Sequence, residues 1–216
     1  MKLHYHPVSA ACRPIMMFAA EAGLAIEWQF VDPFAAPDPG QDVPLLEDGD
    51  LRLAEASAIL KYLAEKSGSP AYPRDLAARA RVNDRMDWFA SHLMRDLCHG
   101  FAYPQLMPAA APRSAAALAA MLEDSRPRLR RWMTVLDEQV IGPRRRFVCG
   151  EEVTLADYLG LGIVTVGEAV RLDFARWPHV QRWLATMKSR PSYAATHLQF
   201  HSMLVADTEG LAFAPL

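Results

Sequence analysis

The chain has 216 residues, a net charge of −2, an apolar fraction of 51% and 22% charged residues. That length supports one large or two small domains with real cores. The near-neutral charge excludes broad attraction to nucleic acid or an anionic membrane, and no stretch reaches the roughly 20 apolar residues of a membrane span.

Leu3 and Tyr5 mark a short strand closed by Pro7. From Cys12 onward, Ile15, Phe18, Ala19 and Ala22 recur at helical spacing. Pro14 suits a first helical turn, where its missing N–H would be unpaired anyway, and Gly23 ends the helix. Ile26, Trp28 and Phe30 alternate as a second strand, and 34–42 has loop composition. Leu45 to Leu53 reads as a hairpin turning at Asp48-Gly49, and Ser57 to Lys66 as a helix with Ile59, Leu60 and Leu63 inward. The two strands joined by a helix should lie parallel, and the hairpin pair antiparallel. Residues 67–74 have linker composition.

Everything beyond is patterned as helix: Asp75 to Leu97, Ala115 to Val140, Thr154 to Val170, Pro178 to Ser189 and Pro191 to Phe200. A mixed-sheet segment followed by a run of helices predicts two domains, an α/β domain over 1–66 and an all-helical one over 75–216. Thr154-Leu155-Ala156-Asp157 is a capping-box pattern worth about 1 kcal/mol, with Val153 placed to staple the next turn.

Cys12, Cys98 and Cys149 are odd in number and far apart, which fits free thiols in a reducing, cytoplasmic setting. The start of the chain, Met1 to Pro7, lacks the apolar core of a signal peptide. His4 and His6 share a strand face, and His197 and His201 lie four apart on a helix, but neither pair comes with two further ligands, so no metal is expected. The basic runs Arg126 to Arg131 and Arg144 to Arg146 read as solvated helix ends, with an anion site as the alternative. Ser91-His92 lacks the nucleophile elbow of a hydrolase.

Four stretches resemble the glutathione S-transferase superfamily. Ser9-Ala10-Ala11-Cys12-Arg13 resembles the S-x-x-C-R of its theta-like classes. Val43-Pro44-Leu45-Leu46 resembles V-P-x-L, whose proline is cis. Glu55-Ala56-Ser57-Ala58-Ile59-Leu60 resembles E-S-x-A-I-L. Gly150 with Thr154-Leu155-Ala156-Asp157, and then Trp177-Pro178-His179-Val180-Gln181-Arg182-Trp183-Leu184, resembles the terminal signatures.

The resemblance implies a thioredoxin-like domain followed by the helical domain, glutathione as co-substrate, a small electrophile as second substrate, and a homodimer. It implies that Ser9, between a strand end and a helix start, donates to the glutathione sulfur and favours the thiolate, which is the nucleophile. A plain helix cap is the other reading of Ser9. Arg13 would add positive charge beside that sulfur or lie on the surface. Cys12 stands where a dithiol oxidoreductase has its second cysteine, but one cysteine makes no internal disulfide, so a buried, inert thiol is expected.

Val43 and Pro44 imply a backbone site for the cysteinyl part, and Glu55, Ala56 and Ser57 the site of the γ-glutamyl end. Gln41 corresponds to the polar residue that meets the glycyl end. Trp88, His92 and Arg95, spaced to share a helix face, and Tyr103 after them, imply the second-substrate surface between the domains. Two departures stand out. Ala56 replaces the usual serine, and the segment between Asp32 and Val43 is about half its usual length. Both support the alternative of a non-catalytic scaffold that binds a protein partner or small ligand.

Overall fold

The computed structural model describes residues 1–32, 43–107 and 110–216. The expected loop over 34–42, with Gln41, lies outside the described residues. Strand β1 (Lys2–Tyr5) leads through a tight turn into α1 (Cys12–Glu21), and β2 (Glu27–Phe30) returns. The hairpin β3 (Leu45–Asp48) and β4 (Leu51–Leu53) follows, and then α2 (Ala56–Ser67). The sheet order is β2-β1-β3-β4, with β1 parallel to β2 and antiparallel to β3. The pairing expected for crossover and hairpin strands is therefore present. Gly49 takes the left-handed φ of 61° that the two-residue hairpin turn requires. Val43-Pro44 is a cis peptide bond, as the resemblance implied.

Strand β2 departs from its alternating pattern. It is the sheet edge and exposed along its length, with Trp28 and Phe30 packed edge-on to Tyr5.

The helical part opens with α3 (Leu76–Trp88), where Asp75 accepts from the Ala78 N–H at 2.8 Å. The helix continues past the expected Leu97 as a π-helical stretch, Phe89–Ala102, into α4 (Tyr103–Leu106). Helix α5 (Ala115–Thr134) likewise runs on through Val135–Ile141. The single helix expected over Thr154 to Val170 is two, α6 (Leu155–Val164) and α7 (Val166–Ala169). The break falls at Thr165, whose hydroxyl bonds back to the Leu161 carbonyl at 2.6 Å. Helices α8 (Pro178–Lys188) and α9 (Pro191–Phe200) each begin on proline.

Helix α6 is buried along its whole length and forms the centre of the molecule. Its capping residue does more than end a helix. The Asp157 carboxylate, fully buried, accepts from the Val148 and Thr154 N–H groups, both at 2.8 Å, the Thr154 hydroxyl at 3.0 Å and the Trp183 indole at 3.0 Å. One side chain thus ties the loop before α6, the start of α6 and the middle of α8. Burial pushes the Asp157 carboxyl up, and its four donors oppose that rise. Helix α8 is capped from outside its own sequence, because Asp137 accepts from the His179 and Val180 N–H groups at 2.7 and 2.9 Å.

Replacing Asp157 by asparagine sets an NH2 group against buried donors. A lost acceptor for several such donors costs at least about 3 kcal/mol. Asp157→Asn should lower the unfolding free energy in urea by that amount, seen as a lower midpoint at unchanged m-value, and a loss below about 1 kcal/mol would contradict this role.

Candidate active site

The antiparallel register brings three chain segments to one end of the sheet. β1 ends where β3 begins, and β4, antiparallel to β3, ends there too. Ser9 follows the end of β1, Val43-Pro44 precedes β3, and Glu55-Ala56-Ser57 follows β4. The sequence-predicted residues of the first domain therefore converge, apart from Gln41, which is outside the described residues. Two helix N-termini, of α1 and α2, open at this end, and their dipoles favour an anion.

Ser9 is half-buried and its backbone N–H donates to the His6 carbonyl at 3.1 Å. Its carbonyl accepts from the Arg13 N–H at 3.1 Å, so Ser9 stands at the head of α1. Its Oγ accepts from the N–H groups of Ala11 at 3.2 Å and Cys12 at 3.3 Å. The helix-cap reading of Ser9 is the one these bonds show. The lone pairs cap the helix, which leaves the hydroxyl hydrogen to be donated to a third group.

Cys12 is fully buried, and burial pushes its thiol up, against the opposing effects of a backbone hydrogen bond from His6, the Ser9 side chain and Arg13. It is the inert thiol expected. Burial also lowers His6, opposed by Asp32, so it is neutral near pH 7.

Arg13 is not a surface residue. It is 0% exposed, with its guanidinium donating to the Thr165 hydroxyl at 2.7 Å and the Gly162 carbonyl at 2.8 Å. The group stacks on Phe200, 3.7 Å from the ring centroid. Burial lowers it to about 10, so it keeps its charge. Arg13 therefore reaches from α1 into the helical domain, clamping Ser9's own helix against α6 and α9. The buried His197, stacked on Tyr193, is lowered to about 3 and adds no competing positive charge.

The second junction between the sheet-bearing and helical parts is Glu21, at the other end of α1. It accepts from Tyr158 at 2.7 Å and from Arg190 Nε at 2.9 Å, and Ser192 also bonds to it. Burial pushes Glu21 up, but these donors outweigh it and hold the carboxyl below the ordinary range. Sequence reading missed Glu21, Thr165 and Gly162, because nothing local distinguishes them; their roles come from partners on distant segments.

Glu55 flanks the start of α2 and is exposed, Ala56 is buried, and Ser57 is half-buried in the first turn. Val43 is half-buried beside the buried Pro44.

The four residues expected to form one second-substrate surface do not assemble. Trp88 and His92 do share a face, stacked at 5.8 Å and 16°. That face meets α5, with the Trp132 ring 4.2 Å from His92. Arg95 is forked onto Asp96, which also accepts from Trp132 and Arg128. A helix surface carrying two aromatic rings found its cover in the neighbouring helix rather than in the cleft. Tyr103 alone of the four lies near α1. It is half-buried, close enough to Cys98, Arg13 and Cys12 to interact electrostatically, and burial pushes its hydroxyl up.

The approach of α6 to α1 is tight. A Cβ on Gly162 would stand 2.5 Å from the Ala10 carbonyl oxygen and 2.5 Å from Pro14 Cγ. Alanine in a helix interior gains about 1 kcal/mol over glycine, whereas overpacking against rigid backbone costs about 1–3 kcal/mol. The clash wins. Gly162→Ala should destabilise the protein by up to about 2 kcal/mol in urea unfolding. Ala10 adjoins Ser9, so turnover should fall as well; unchanged stability and turnover would show that α6 does not fix this turn.

Residues 1–65 match the family described as "Glutathione S-transferase, N-terminal domain", and residues 94–191 its C-terminal domain. Glutathione S-transferase 2 of Anopheles gambiae is 31% identical over 201 residues, spanning 87% of this chain and 90% of that protein. A delta-class glutathione transferase of Nilaparvata lugens superposes with a TM-score of 0.80 at 27% identity, covering 95% of this chain and 96% of the other. Human glutathione transferase theta-2, solved with glutathione and an unknown ligand, gives 0.77 at 26% identity, covering 100% and 93%. A sheet-bearing first part with Ser9 at its carboxyl end, a helical second part and these matches along most of the chain lead to one assignment: the chain belongs to the glutathione S-transferase family.

Proposed function

We propose that the protein is a glutathione transferase in which Ser9 activates the thiol of glutathione for conjugation to, substitution on, or isomerisation of a small electrophile. The observation that carries this reading is the convergence of Ser9, Val43-Pro44 and the start of α2 at one end of the sheet. Glutathione supplies the nucleophilic sulfur, and the protein's task is to bind it as an anion and exclude competing protons. Ser9 holds the sulfur by donating its one hydroxyl hydrogen, since its lone pairs are taken up by the helix. The α1 N-terminus adds positive potential to the same place.

Val43 offers its peptide groups to the cysteinyl part as an added strand would. Glu55 meets the ligand's ammonium, and the first turn of α2, at Ala56 and Ser57, meets its carboxylate through backbone N–H groups. Gln41 belongs to the glycyl end. Arg13 acts through position, holding α1 and so Ser9 at a fixed distance from α6. Tyr103 faces the electrophile.

Trp88, His92 and Arg95 belong in this reading to an outer face of the long helices, against which the first domain of a second copy packs to give a homodimer. The half-buried rings of Trp88, His92 and Trp132 support that face. The three free cysteines support a cytoplasmic setting. The domains divide at the linker 67–74.

Ser9→Ala should lower kcat about tenfold or more, equivalent to about 1.4 kcal/mol of transition-state stabilisation, with glutathione affinity little changed. Unaltered turnover would remove Ser9 from the mechanism. Calorimetric titration of glutathione into the reduced protein should give a Kd of about 1 mM or tighter. No binding up to about 10 mM would favour the non-catalytic scaffold. Sedimentation should report a dimer, and a species of 24.1 kDa would contradict the proposed assembly.

A further inference from the structure

The basic run Arg144 to Arg146 has a place in the fold that the glutathione reading does not use. Arg145 ends the π-helical extension of α5, donating to the Gln139 and Val140 carbonyls, as expected of an arginine at a helix end. It also lines a cavity of about 250 Å³ together with Arg81, Arg85, Val148 and Cys149. We propose that this cavity binds a small, multiply charged anion of the phosphate class, at a site separate from Ser9.

Three guanidinium groups from two distant segments, α3 and the loop before α6, border one opening. Like charges brought together repel, and the arrangement is relieved by an anion between them. Their donors are largely unspent. Arg81 makes no side-chain hydrogen bond or ion pair among those found within the described residues, and it is exposed. Arg85 has only the exposed carboxylate of its chain neighbour Asp84, at 3.4 Å. Asp157, close enough to the lining Cys149 to interact electrostatically, is committed to its four donors.

Planar guanidinium forks match phosphate oxygens two at a time. The cavity lies below the roughly 300–1,000 Å³ of pockets for drug-sized ligands, which suits a phosphate group with its waters. Every lining residue belongs to the helical part, whereas Ser9 lies at the carboxyl end of the sheet.

Cys149 supplies a reporter. Cys12 and Cys98 are fully buried, so Cys149, at the cavity wall, is the thiol that a reagent reaches in the folded protein. Inorganic phosphate titrated calorimetrically at fixed ionic strength should bind saturably with a Kd of about 1 mM or tighter. At saturation it should slow alkylation of Cys149 by N-ethylmaleimide about threefold or more, as expected when most of the protein is in the bound form. Arg81→Gln, at an exposed position, and Arg85→Gln should each weaken binding about fivefold, while Ser9→Ala leaves it unchanged.

A phosphomonoester such as glycerol 3-phosphate that binds more tightly than phosphate assigns the site to phosphate groups on organic molecules; weaker binding assigns it to the free ion. Absence of saturable binding by both compounds, binding without protection of Cys149, or binding indifferent to both arginine substitutions would overturn the proposal.

Discussion

The contact between α1 and α6 is the constraint on which the rest of the molecule depends. Helix α1 carries Ser9 at its head, Arg13 one turn on and Glu21 at its end, and each does a different job. Arg13 crosses into the helical part, where Thr165, Gly162 and Phe200 receive it. Nε of this buried guanidinium has no hydrogen-bond partner among the described residues, so the two bonds to Thr165 and Gly162 and the Phe200 ring carry the site, and their removal would leave a costly orphan. The clamp is therefore specific about distance. The absence of a side chain at Gly162 lets α6 approach within reach of the Ala10 carbonyl.

Three buried carboxylates organise the helical part in the same manner. Asp157 joins the loop before α6 to α8, Asp137 caps α8 from α5's extension, and Asp96 ties the long helix to α5 through Arg128 and Trp132. Each joins its own segment to a different element of the helical part. A buried acid is stable only in the arrangement that supplies all of its partners, so these contacts select one packing among the many that apolar burial alone would allow. For Asp96 the balance is visible: burial pushes its carboxyl up, but Arg95, Trp132 and Arg128 outweigh it and hold it low.

In the proposed mechanism Ser9 is at once a helix cap and the group that meets the sulfur. A hydroxyl accepts through two lone pairs and donates through one hydrogen. Capping uses only the first capacity. A residue at the head of a helix therefore reaches an anion with its hydrogen while remaining part of the scaffold, and its position is fixed by the same bonds that fix the helix.

The sequence by itself determined the order of the main strands and helices, though not the break at Thr165 or the extension past Leu97. Alternation, helical periodicity, Asp48-Gly49 and the capping box are local signals, and local backbone preference decides them. The resemblance carried by Ser9, Val43-Pro44 and Glu55-Ala56-Ser57 also placed the candidate site, because short turns after strands hold those residues wherever the sheet goes. The tertiary structure alone decided where side chains on helices point. Trp88, His92 and Arg95 have the spacing of one face, yet spacing does not say whether a cleft or a neighbouring helix covers that face. Arg13 reads as a surface charge until α6 and α9 close over it. Gly162, Thr165 and Glu21 carry no local mark at all, since their roles are set by partners more than a hundred residues away in the chain.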